Sequence, residues 1–430
     1  AACEREVQRH TDRLYALSTA LQTQHALASE KIRQQEQACA RSSPKKLKNF
    51  GFRTVKVRFL GGVEVELLAR YHARSEARAQ KGKGVFFGLL LLGIDHHCSP
   101  ALASEVARSA AAMNSLEDAR THLAGRGIRL SRKQIGQIAY GFSQRARLRQ
   151  TAAEAGIPGS LRGRRVVVST DGGRVRIRKD KRGKKTKKGR TRYRTDWREP
   201  KLLVIYVVDE QGRIDREFSP VLDGTLKGPD AVFSLIAFYL SQLQIDQATK
   251  VLFIADGAKW IWNRVGDLWK ELGLRPQQCL ELVDFYHVVE HLHTLAGFNQ
   301  SWKKGQCKRW VKTQTNRLKR GQLEAFTAAV KKLCRGRRGN AWRREREYLL
   351  RNAAAGRLDY ATVRQAQLPI GSGIIESTVR RVINLRMKGA SIYWTEENAE
   401  AMIFLRAYYK SGYWQVLENK ALEPCFDLAA

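Results

Sequence analysis

Three acidic residues stand where a carboxylate could carry out chemistry: Asp171, Asp256 and Glu376. Asp171 and Asp256 each end an apolar, strand-like run, and each is followed by glycine. This pattern predicts a buried strand that stops at a turn, and open sheets with parallel strands bind ligands beyond the carboxyl ends of those strands. If the two strands are neighbours, the two carboxylates meet.

Glu376 supplies a third acid, in the segment Gly371-Ser372-Gly373-Ile374-Ile375-Glu376-Ser377 near the predicted start of a helix. Magnesium accepts a few carboxylates together with oxygens of the substrate. Two hard divalent ions roughly 3.5–4 Å apart can activate a water or hydroxyl and stabilise the leaving oxygen of an in-line phosphoryl displacement. The three acids are therefore suited to holding two such ions. The alternative for Glu376 is that it only favours a helix amino terminus.

The surroundings of Asp171 are strongly basic, which indicates a polyanionic substrate. Ten of the sixteen residues 179–194 are Lys or Arg, and the whole chain carries 78 Lys and Arg against 41 Asp and Glu, a formal charge of +37. Such a field attracts nucleic acid through counterion release. An anionic membrane is the competing partner, but the one long apolar run, residues 85–94, is shorter than the roughly 20 residues that cross a bilayer.

Candidate DNA-contacting side chains fall into three groups. They are Lys184, Lys185, Lys187, Lys188, Arg190 and Arg192 in the basic run, Arg132, Lys133 and Gln134 at the start of a predicted helix, and Arg380, Arg381, Arg386 and Lys388 after Glu376. The first group lies beside Asp171, the second would form the first turn of a recognition helix, and the third suits phosphates that flank a scissile bond. The alternative in each case is a solvated basic surface.

Strands and helices alternate in the second half of the chain. Predicted strands cover residues 165–170, 174–178, 201–208, 250–255 and 280–283, and amphipathic helices cover residues 230–243 and 258–272. The first three strands are joined by short turns, and the last two are separated by helical crossovers. This pattern predicts an α/β fold with a mixed sheet, in which the early strands pair antiparallel and the later strands pair parallel. The first part of this domain would span residues 164–293. A basic helical block, residues 294–368, would follow, with Trp302, Trp310 and Trp342 as packing anchors. Residues 369–430 would form the last part of the domain.

The first 163 residues divide into four segments. Residues 1–41 predict a helix in which Val7, Leu14, Leu21 and Ala28 recur every seven positions, so a dimerising coiled coil competes with a plain docking helix. Residues 42–99 contain a β-hairpin around Gly61-Gly62. Residues 100–150 predict three helices, the third capped by Ser131, which form either a DNA-binding, helix-turn-helix-like module or an ordinary packing module. Residues 151–163 are predicted to be a linker.

The seven cysteines bear on the cellular setting. Their number is odd and no C-x-x-C pair occurs, which argues against a disulfide framework and a Cys-based zinc module. No signal-peptide pattern precedes the first helix, so a reducing cytoplasmic setting is expected.

Four motifs follow one another in order along the chain. They are Ser169-Thr170-Asp171-Gly172-Gly173, Ala255-Asp256-Gly257-Ala258-Lys259-Trp260, Asp284-Phe285-Tyr286-His287, and Gly371-Ser372-Gly373-x-x-Glu376-Ser377 followed by Arg386-Met387-Lys388-Gly389. Together with the helical module after Pro100, they resemble the ISKra-type bacterial insertion-sequence transposases and their mutator-like relatives. The resemblance covers about residues 100–409.

The resemblance implies an RNase H-like catalytic domain with a helical insertion and a DDE triad of Asp171, Asp256 and Glu376. Asp284 and His287 match an Asp-x-x-His signature and would support the site or contact the DNA strand. It further implies DNA cleavage and strand transfer with two Mg²⁺ or Mn²⁺ ions, terminal inverted repeats and target DNA as partners, a homodimer or larger oligomer, and a nucleoid-associated bacterial protein.

The chain departs from this family at one place. Relatives commonly carry a Cys-Pro-x-Cys zinc knuckle after the hairpin, and Tyr71-His72-Ala73-Arg74-Ser75-Glu76-Ala77-Arg78 stands there instead, so no zinc is expected.

Three rival functions fit some of the same residues. His287-Val288-Val289-Glu290-His291 spells an inverted zinc-protease motif. The strand that ends in Asp284 and the high positive charge weigh against peptide hydrolysis. A structure-selective nuclease would use the three acids without joining strands, and a catalytically silent DNA-binding relative would not need them.

Overall fold

The computed structural model describes residues 2–43, 47–74, 84–152, 155–187, 189 and 191–422. The chain divides into two compact units. The first contains Ala1–Glu154, Phe404–Tyr409 and Tyr413–Ala430, and the second contains Ala155–Ile403 and Lys410–Gly412. None of the helices in the described ranges has the length and apolar character needed to cross a membrane.

The first unit begins with two helices where the sequence predicted one: α1 (Ala2–Ala28) and α2 (Glu30–Ser42). Ser29 causes the break, because its hydroxyl donates to the Ala26 carbonyl at 2.7 Å and accepts from the Ile32 N–H at 3.3 Å. A serine in this role caps the helix that follows it. On its inner side α1 buries Ala16, Ala20 and Leu27 in a core shared with the hairpin.

The predicted hairpin is confirmed as β1 (Lys48–Arg58) and β2 (Glu64–Ala73), which pair antiparallel. Both turn glycines have φ 83°, a conformation that favours glycine, and a Cβ on Gly62 would lie 2.4 Å from the Gly127 carbonyl oxygen. The stretch that stands in place of a zinc knuckle begins within β2, and its residues 75–78 lie outside the described ranges.

A helical module completes the first unit. After the short helix α3 (Phe87–Leu91), it consists of α4 (Pro100–Ala112), α5 (Leu116–Gly125) and α6 (Arg132–Ala152). The sequence pattern predicts the third helix over residues 131–142, but the helix continues to Ala152, because the ten residues after Phe142 form helices readily and include neither proline nor glycine.

The predicted linker and last segment also differ in the structure. Residues 155–163 belong to the second unit, where Leu161 is fully buried and its N–H donates to the Leu243 carbonyl at 2.9 Å. The last segment divides between the units. Its final helix, Trp414–Leu422, joins the first unit, where the Trp414 ring stacks 6.0 Å from the Phe142 ring.

The second unit is built on a mixed five-stranded sheet. Its strands are β3 (Arg165–Gly172), β6 (Lys201–Val208), β7 (Val221–Thr225), β8 (Lys250–Ala255) and β9 (Cys279–Val283), in the order β7-β6-β3-β8-β9. Strand β6 is antiparallel to β3 and β7, whereas β8 and β9 run parallel to β3. The predicted mixed sheet, with antiparallel pairing before parallel pairing, is therefore confirmed. The strand that carries Asp171 is also adjacent to the strand that Asp256 follows, as expected.

One predicted sheet strand is placed elsewhere. The predicted strand 174–178 corresponds to β4 (Val175–Asp180), which lies outside the five-stranded sheet and pairs with β5 (Tyr193–Arg198). The reason is the pattern of β4, in which apolar Val175 and Ile177 alternate with arginines. Such a strand buries one face only, whereas all eight residues of β6 are buried. The sequence patterns predicted neither β5 nor β7.

Helices surround this sheet and carry the chain back to it. The described helices of the second unit are α7 (Pro229–Gln242), α8 (Lys259–Glu271), α9 (Phe285–Gly297), α10 (Lys304–Lys319), α11 (Leu323–Cys334), α12 (Asn340–Ala354), α13 (Tyr360–Gln365), α14 (Gly373–Val379) and α15 (Leu385–Met387); α16 (Glu396–Ser411) and α17 (Trp414–Leu422) follow. The basic block between α9 and α14 is helical, as predicted. Its three tryptophans are half-buried, with the Trp302 and Trp310 rings 6.0 Å apart.

Candidate active site

The strand register places three aspartates at one level at the carboxyl ends of β3, β8 and β9. Strands β3 and β8 pair residues that are 85 positions apart, such as Val168 with Phe253, and Asp171 and Asp256 have the same separation. Strands β8 and β9 pair Ala255 with Val283, and Asp284 follows Val283 as Asp256 follows Ala255. Neighbouring strands lie roughly 4.8 Å apart, so the register brings these carboxylates to one sheet edge.

Asp171 and Asp256 are both half-buried and held by nearby backbone. Asp171 accepts from the Gly172 N–H at 2.6 Å, and Asp256 accepts from the Ala258 N–H at 3.0 Å. Burial is the main cause that raises the pKa of Asp171, and the negative charges of Asp256 and Glu376 raise it further. The Gly172 N–H and His287 act in the opposite direction. The Asp171 carboxylate therefore lies in the field of both other predicted catalytic acids.

Glu376 approaches this edge from a different part of the chain. It lies on α14, which packs against β3 and β6. Its side chain is 56% exposed, and its Oε1 lies 4.0 Å from Nε2 of His287. The helix continues as a π-helical turn, Arg380–Asn384, a rare geometry that is frequent at functional sites.

Asp284 is fully buried and connects the elements that carry His287 and Glu376. It caps α9 by accepting from the Tyr286 N–H at 2.6 Å and the His287 N–H at 3.0 Å. Its other oxygen accepts a hydrogen bond from the N–H of Ser372, the residue before α14. One carboxylate therefore fixes the starts of both helices, which makes Asp284 a positioning residue.

The helical block contacts the second aspartate's turn. A Cβ on Gly257 would lie 2.1 Å from the Tyr348 ring, and the Arg351 guanidinium donates to the Gly257 carbonyl at 3.0 Å. Burial raises the pKa of Tyr348, and the charge of Asp256 raises it further. Glycine after Asp256 thus permits the close approach of α12.

The donor chemistry of the acidic edge fits magnesium or manganese. Asp171, Asp256 and Glu376 offer hard carboxylate oxygens. The pKa of Asp171 is raised mainly by burial and further by the charges of Asp256 and Glu376, which a cation would neutralise. Within the described ranges, no three His, Cys, Asp or Glu side chains form a group that could hold a metal ion by themselves. Magnesium sites commonly use one or two carboxylates and draw further oxygens from water and substrate phosphates.

The zinc-protease motif does not form one ligand cluster. His287 and His291 both lie on α9, but Nδ1 of His291 bonds to the buried Glu345 and its ring stacks 3.6 Å from Tyr348. His287 instead faces Glu290, at 3.7 Å, and Glu376.

In the first unit, His96, His97 and Cys98 follow one another between α3 and α4. His96 and His97 adopt φ of 49° and 58°, and burial raises the pKa of the Cys98 thiol to about 11.

The predicted DNA-contacting residues lie in different environments. Lys184, Lys185, Lys187 and Arg192 are exposed between β4 and β5, whereas Lys188 and Arg190 lie outside the described residues. Arg132 and Lys133 are exposed on the first turn of α6. Gln134 is also exposed, but its side-chain oxygen accepts from the Ser131 N–H at 2.9 Å while Ser131 caps the helix.

The third group of basic residues contains both exposed and buried side chains. Arg380 and Lys388 are exposed and Arg381 is half-buried. Arg386 is only 5% exposed, and its guanidinium lies 5.3 Å from the centre of the Trp394 ring. Its environment is that of a packing residue rather than the predicted DNA contact, because Arg386 and its neighbour Met387 are both buried.

Sequence reasoning missed two exposed aromatic features of the second unit. Tyr286, beside His287, is 66% exposed, and Tyr193 and Trp197 project from β5. The alternation Tyr193-x-Thr195-x-Trp197 was a usable signal, because residues two apart on a strand share a face.

Comparisons of the chain with family models, curated proteins and solved structures found no significant match.

Proposed function

We propose that the protein is a metal-dependent DDE transposase that cuts DNA at the ends of a mobile element and joins the cut strands to target DNA. The observation that carries this proposal is the strand register that brings Asp171 and Asp256 to one sheet edge. There the pKa of Asp171 is raised mainly by burial and further by the charges of Asp256 and Glu376. The net charge of +37 supports the proposal.

The RNase H-like fold is part of the same proposal. The mixed sheet, the acids at its carboxyl edge and the helical block between β9 and Glu376 agree with what the motif resemblance implies. Double-stranded DNA is the proposed substrate, in the form of terminal inverted repeats and target sites. A homodimer or larger assembly in the bacterial cytoplasm is proposed because two element ends must be handled together.

In this mechanism, Asp171, Asp256 and Glu376 would hold two Mg²⁺ or Mn²⁺ ions through their carboxylate oxygens. Such ions supply an activated water or hydroxyl and stabilise the leaving oxygen of the phosphoryl displacement. Water would attack the phosphorus at the element end and release a 3′-hydroxyl. That hydroxyl would then attack a target phosphodiester, so that one P–O bond forms as another breaks. Asp284 keeps His287 and Glu376 in place for both steps through its three backbone hydrogen bonds.

The test compares wild type with Asp171→Asn, Asp256→Asn and Glu376→Gln on labelled duplex DNA with Mg²⁺ or Mn²⁺. We expect each variant to lose both cleavage and strand joining by about three orders of magnitude or more, because each change removes a group that stabilises charge in the transition state. Asp267→Asn, a change at an 83% exposed aspartate on α8, is the matched control and should retain activity.

Metal binding provides a readout that does not depend on activity. Added Mn²⁺ should raise the melting temperature of wild type and of Asp267→Asn more than that of the three active-site variants, because a ligand that binds only the folded state stabilises it. Cleavage without joining would favour a nuclease. DNA binding with no cleavage by wild type would favour a catalytically silent protein, and unchanged activity in all three variants would place the active site elsewhere.

A further inference from the structure

The ribbon of β4 and β5 presents a row of aromatic and arginine side chains on one face. Val175 and Ile177 lie on the other face and are buried. Trp197 and Tyr193 are 55% and 45% exposed, and Arg176 is the cross-strand partner of Trp197. Because side chains alternate across a strand, Tyr193 and Trp197 share the outward face with Arg176 and Arg178 of β4.

The arginines hold these rings in a defined arrangement. The Arg176 guanidinium lies 5.4 Å from the centre of the Trp197 ring and 5.0 Å from that of Tyr393, and Arg178 lies 5.4 Å from that of Tyr193. The Tyr193 and Tyr393 rings are 5.8 Å apart, and Tyr393 is 39% exposed. The result is a cluster of partly exposed rings that already carries positive charge on its faces.

The ribbon is fixed directly beside the acidic edge. It continues from the β3–β6 pair, since the Gly173 N–H donates to the Pro200 carbonyl at 2.9 Å. The backbone of Trp394 bonds to β4 on its other side, accepting from Arg178 at 2.7 Å and donating to Arg176 at 3.0 Å. The strand that carries Asp171 is therefore followed directly in the chain by β4, the strand that contributes Arg176 and Arg178 to the aromatic face.

Charge along the ribbon suits a nucleic-acid backbone. A cleft of about 1110 Å³ at its tip is lined by Arg178, Lys181, Lys187, Arg192 and Tyr193, with Asp180 as an acidic member. Two other nearby acids are paired: Asp196 lies 3.3 Å from Lys179, and Glu396 lies 3.1 Å from Arg198.

We propose that Tyr193, Trp197 and Tyr393 form a stacking platform for an unpaired stretch of DNA next to the active site. The inference deepens the proposed function and depends on DNA being its substrate. In a duplex the base faces are covered by their neighbours, so exposed rings gain stacking area only from unpaired bases. Tyr193 and Trp197 are four residues apart on one strand, about 13 Å, so the two rings would contact different bases.

Binding of the full-length protein to a labelled single strand and to the duplex of the same sequence tests this proposal. Trp197→Ala and Tyr193→Ala should each weaken single-strand binding by about 5- to 150-fold, because stacking contributes about 1–3 kcal/mol per base. Trp197→Phe and Tyr193→Phe should retain most of the affinity, and duplex binding should change little. Phe52→Ala on β1 removes a ring of similar exposure, 52%, and is the matched control.

Several outcomes would overturn the proposal. They are equal losses on single strand and duplex, unchanged binding by both alanine variants, or tighter binding of the same sequence as RNA. As a measurement independent of variants, a strand containing 5-bromodeoxyuridine should photocrosslink to the platform residues, and crosslinks confined to other regions would contradict it. If wild type cleaves and joins DNA but fails these tests, only the platform is refuted. If it binds no DNA at all, the proposed function fails as well.

Discussion

Two carboxylates at the acidic edge, Asp171 and Asp284, differ in how well the folded protein stabilises their negative charge. Asp171 is half-buried in the field of two other acids, so its ionised form is less favourable in the folded protein than in the unfolded chain. Asp284 is more deeply buried, but three backbone N–H groups satisfy its oxygens. The first carboxylate is therefore poised to gain from a cation, whereas the second is already stabilised by the fold.

Asp171→Asn is expected to stabilise the metal-free protein at neutral pH. The folded-state pKa of Asp171 is raised above its ordinary value of 3.8, so its destabilising effect is present above the folded pKa and disappears as the pH falls below 3.8. The melting temperature should rise by roughly a few °C at pH 7, and this gain should shrink towards pH 4. Thermal melts at several pH values in EDTA check this, with Asp267→Asn as the control. An equal gain at every pH would contradict the electrostatic cause.

Asp284→Ala is expected to lower both stability and activity. It removes the cap of α9 and the acceptor for Ser372, at a cost of about 2–4 kcal/mol in the free energy of unfolding. Asp284→Asn should lose less stability, because asparagine is also a good cap. Urea unfolding and cleavage assays measure the two effects.

Asp359→Ala is the matched control for this prediction. Asp359 caps α13 by accepting from the Thr362 N–H at 3.1 Å. Its loss should cost about 1 kcal/mol and leave cleavage intact. If the two alanine variants lose activity to the same extent, Asp284 has no special positioning role.

At the scale of elements, α1 has two distinct faces. Ala16, Ala20 and Leu27 pack against the hairpin, whereas Val7, Leu14, Leu17 and Leu21 remain 49% to 73% exposed. The exposed set recurs at intervals of three, four and seven residues, which places it on one stripe. The predicted coiled coil with a second copy of the chain would use this stripe, because the inner face of α1 is already packed against the hairpin.

The double variant Leu14→Glu/Leu21→Glu should therefore shift the protein towards monomer, since buried charge in a helix seam opposes pairing. Light scattering after size-exclusion chromatography measures the mass. Tyr15→Glu changes a 45% exposed residue on a different face of α1 and should leave the mass unchanged. A wild-type protein that is monomeric at high concentration, or a double variant with unaltered mass, would exclude pairing through this stripe.

For the whole molecule, the net charge of +37 is the dominant long-range property. Exposed lysines and arginines occur on both units, including Lys133 on α6 and Lys184 beyond β4. Binding to the proposed DNA substrate would be salt-sensitive in a field of this size.

Duplex affinity should consequently fall steeply with salt, with a slope of about −0.9 in log K against log salt for each phosphate contacted. Lys184→Gln/Lys185→Gln/Lys187→Gln should make the slope shallower by up to about 2.7 if all three lysines contact phosphates. Lys270→Gln, at an 83% exposed lysine 3.7 Å from Asp267, should leave it unchanged. Titrations across a salt series measure both slopes, and a triple variant with the wild-type slope would exclude the basic run from the duplex interface.

Local sequence patterns were sufficient to predict the strands β3, β8 and β9, and therefore which acids stand at the ends of strands. Asp171, Asp256 and Asp284 could be identified because apolar runs and the turns after them are local patterns. The Ser131 cap was predictable for the same reason, since helix ends are satisfied by residues a few positions away.

Which distant segments of the chain meet depends on tertiary contacts. The equal register of β3, β8 and β9 depends on pairing between strands 28 to 85 residues apart. The approach of Glu376 depends on the hydrogen bond between Asp284 and Ser372. The position of β4 outside the sheet depends on its single buried face, and the burial of Arg386 depends on packing against Trp394. These outcomes follow from contacts between residues far apart in the chain, and neither composition nor local periodicity specifies them.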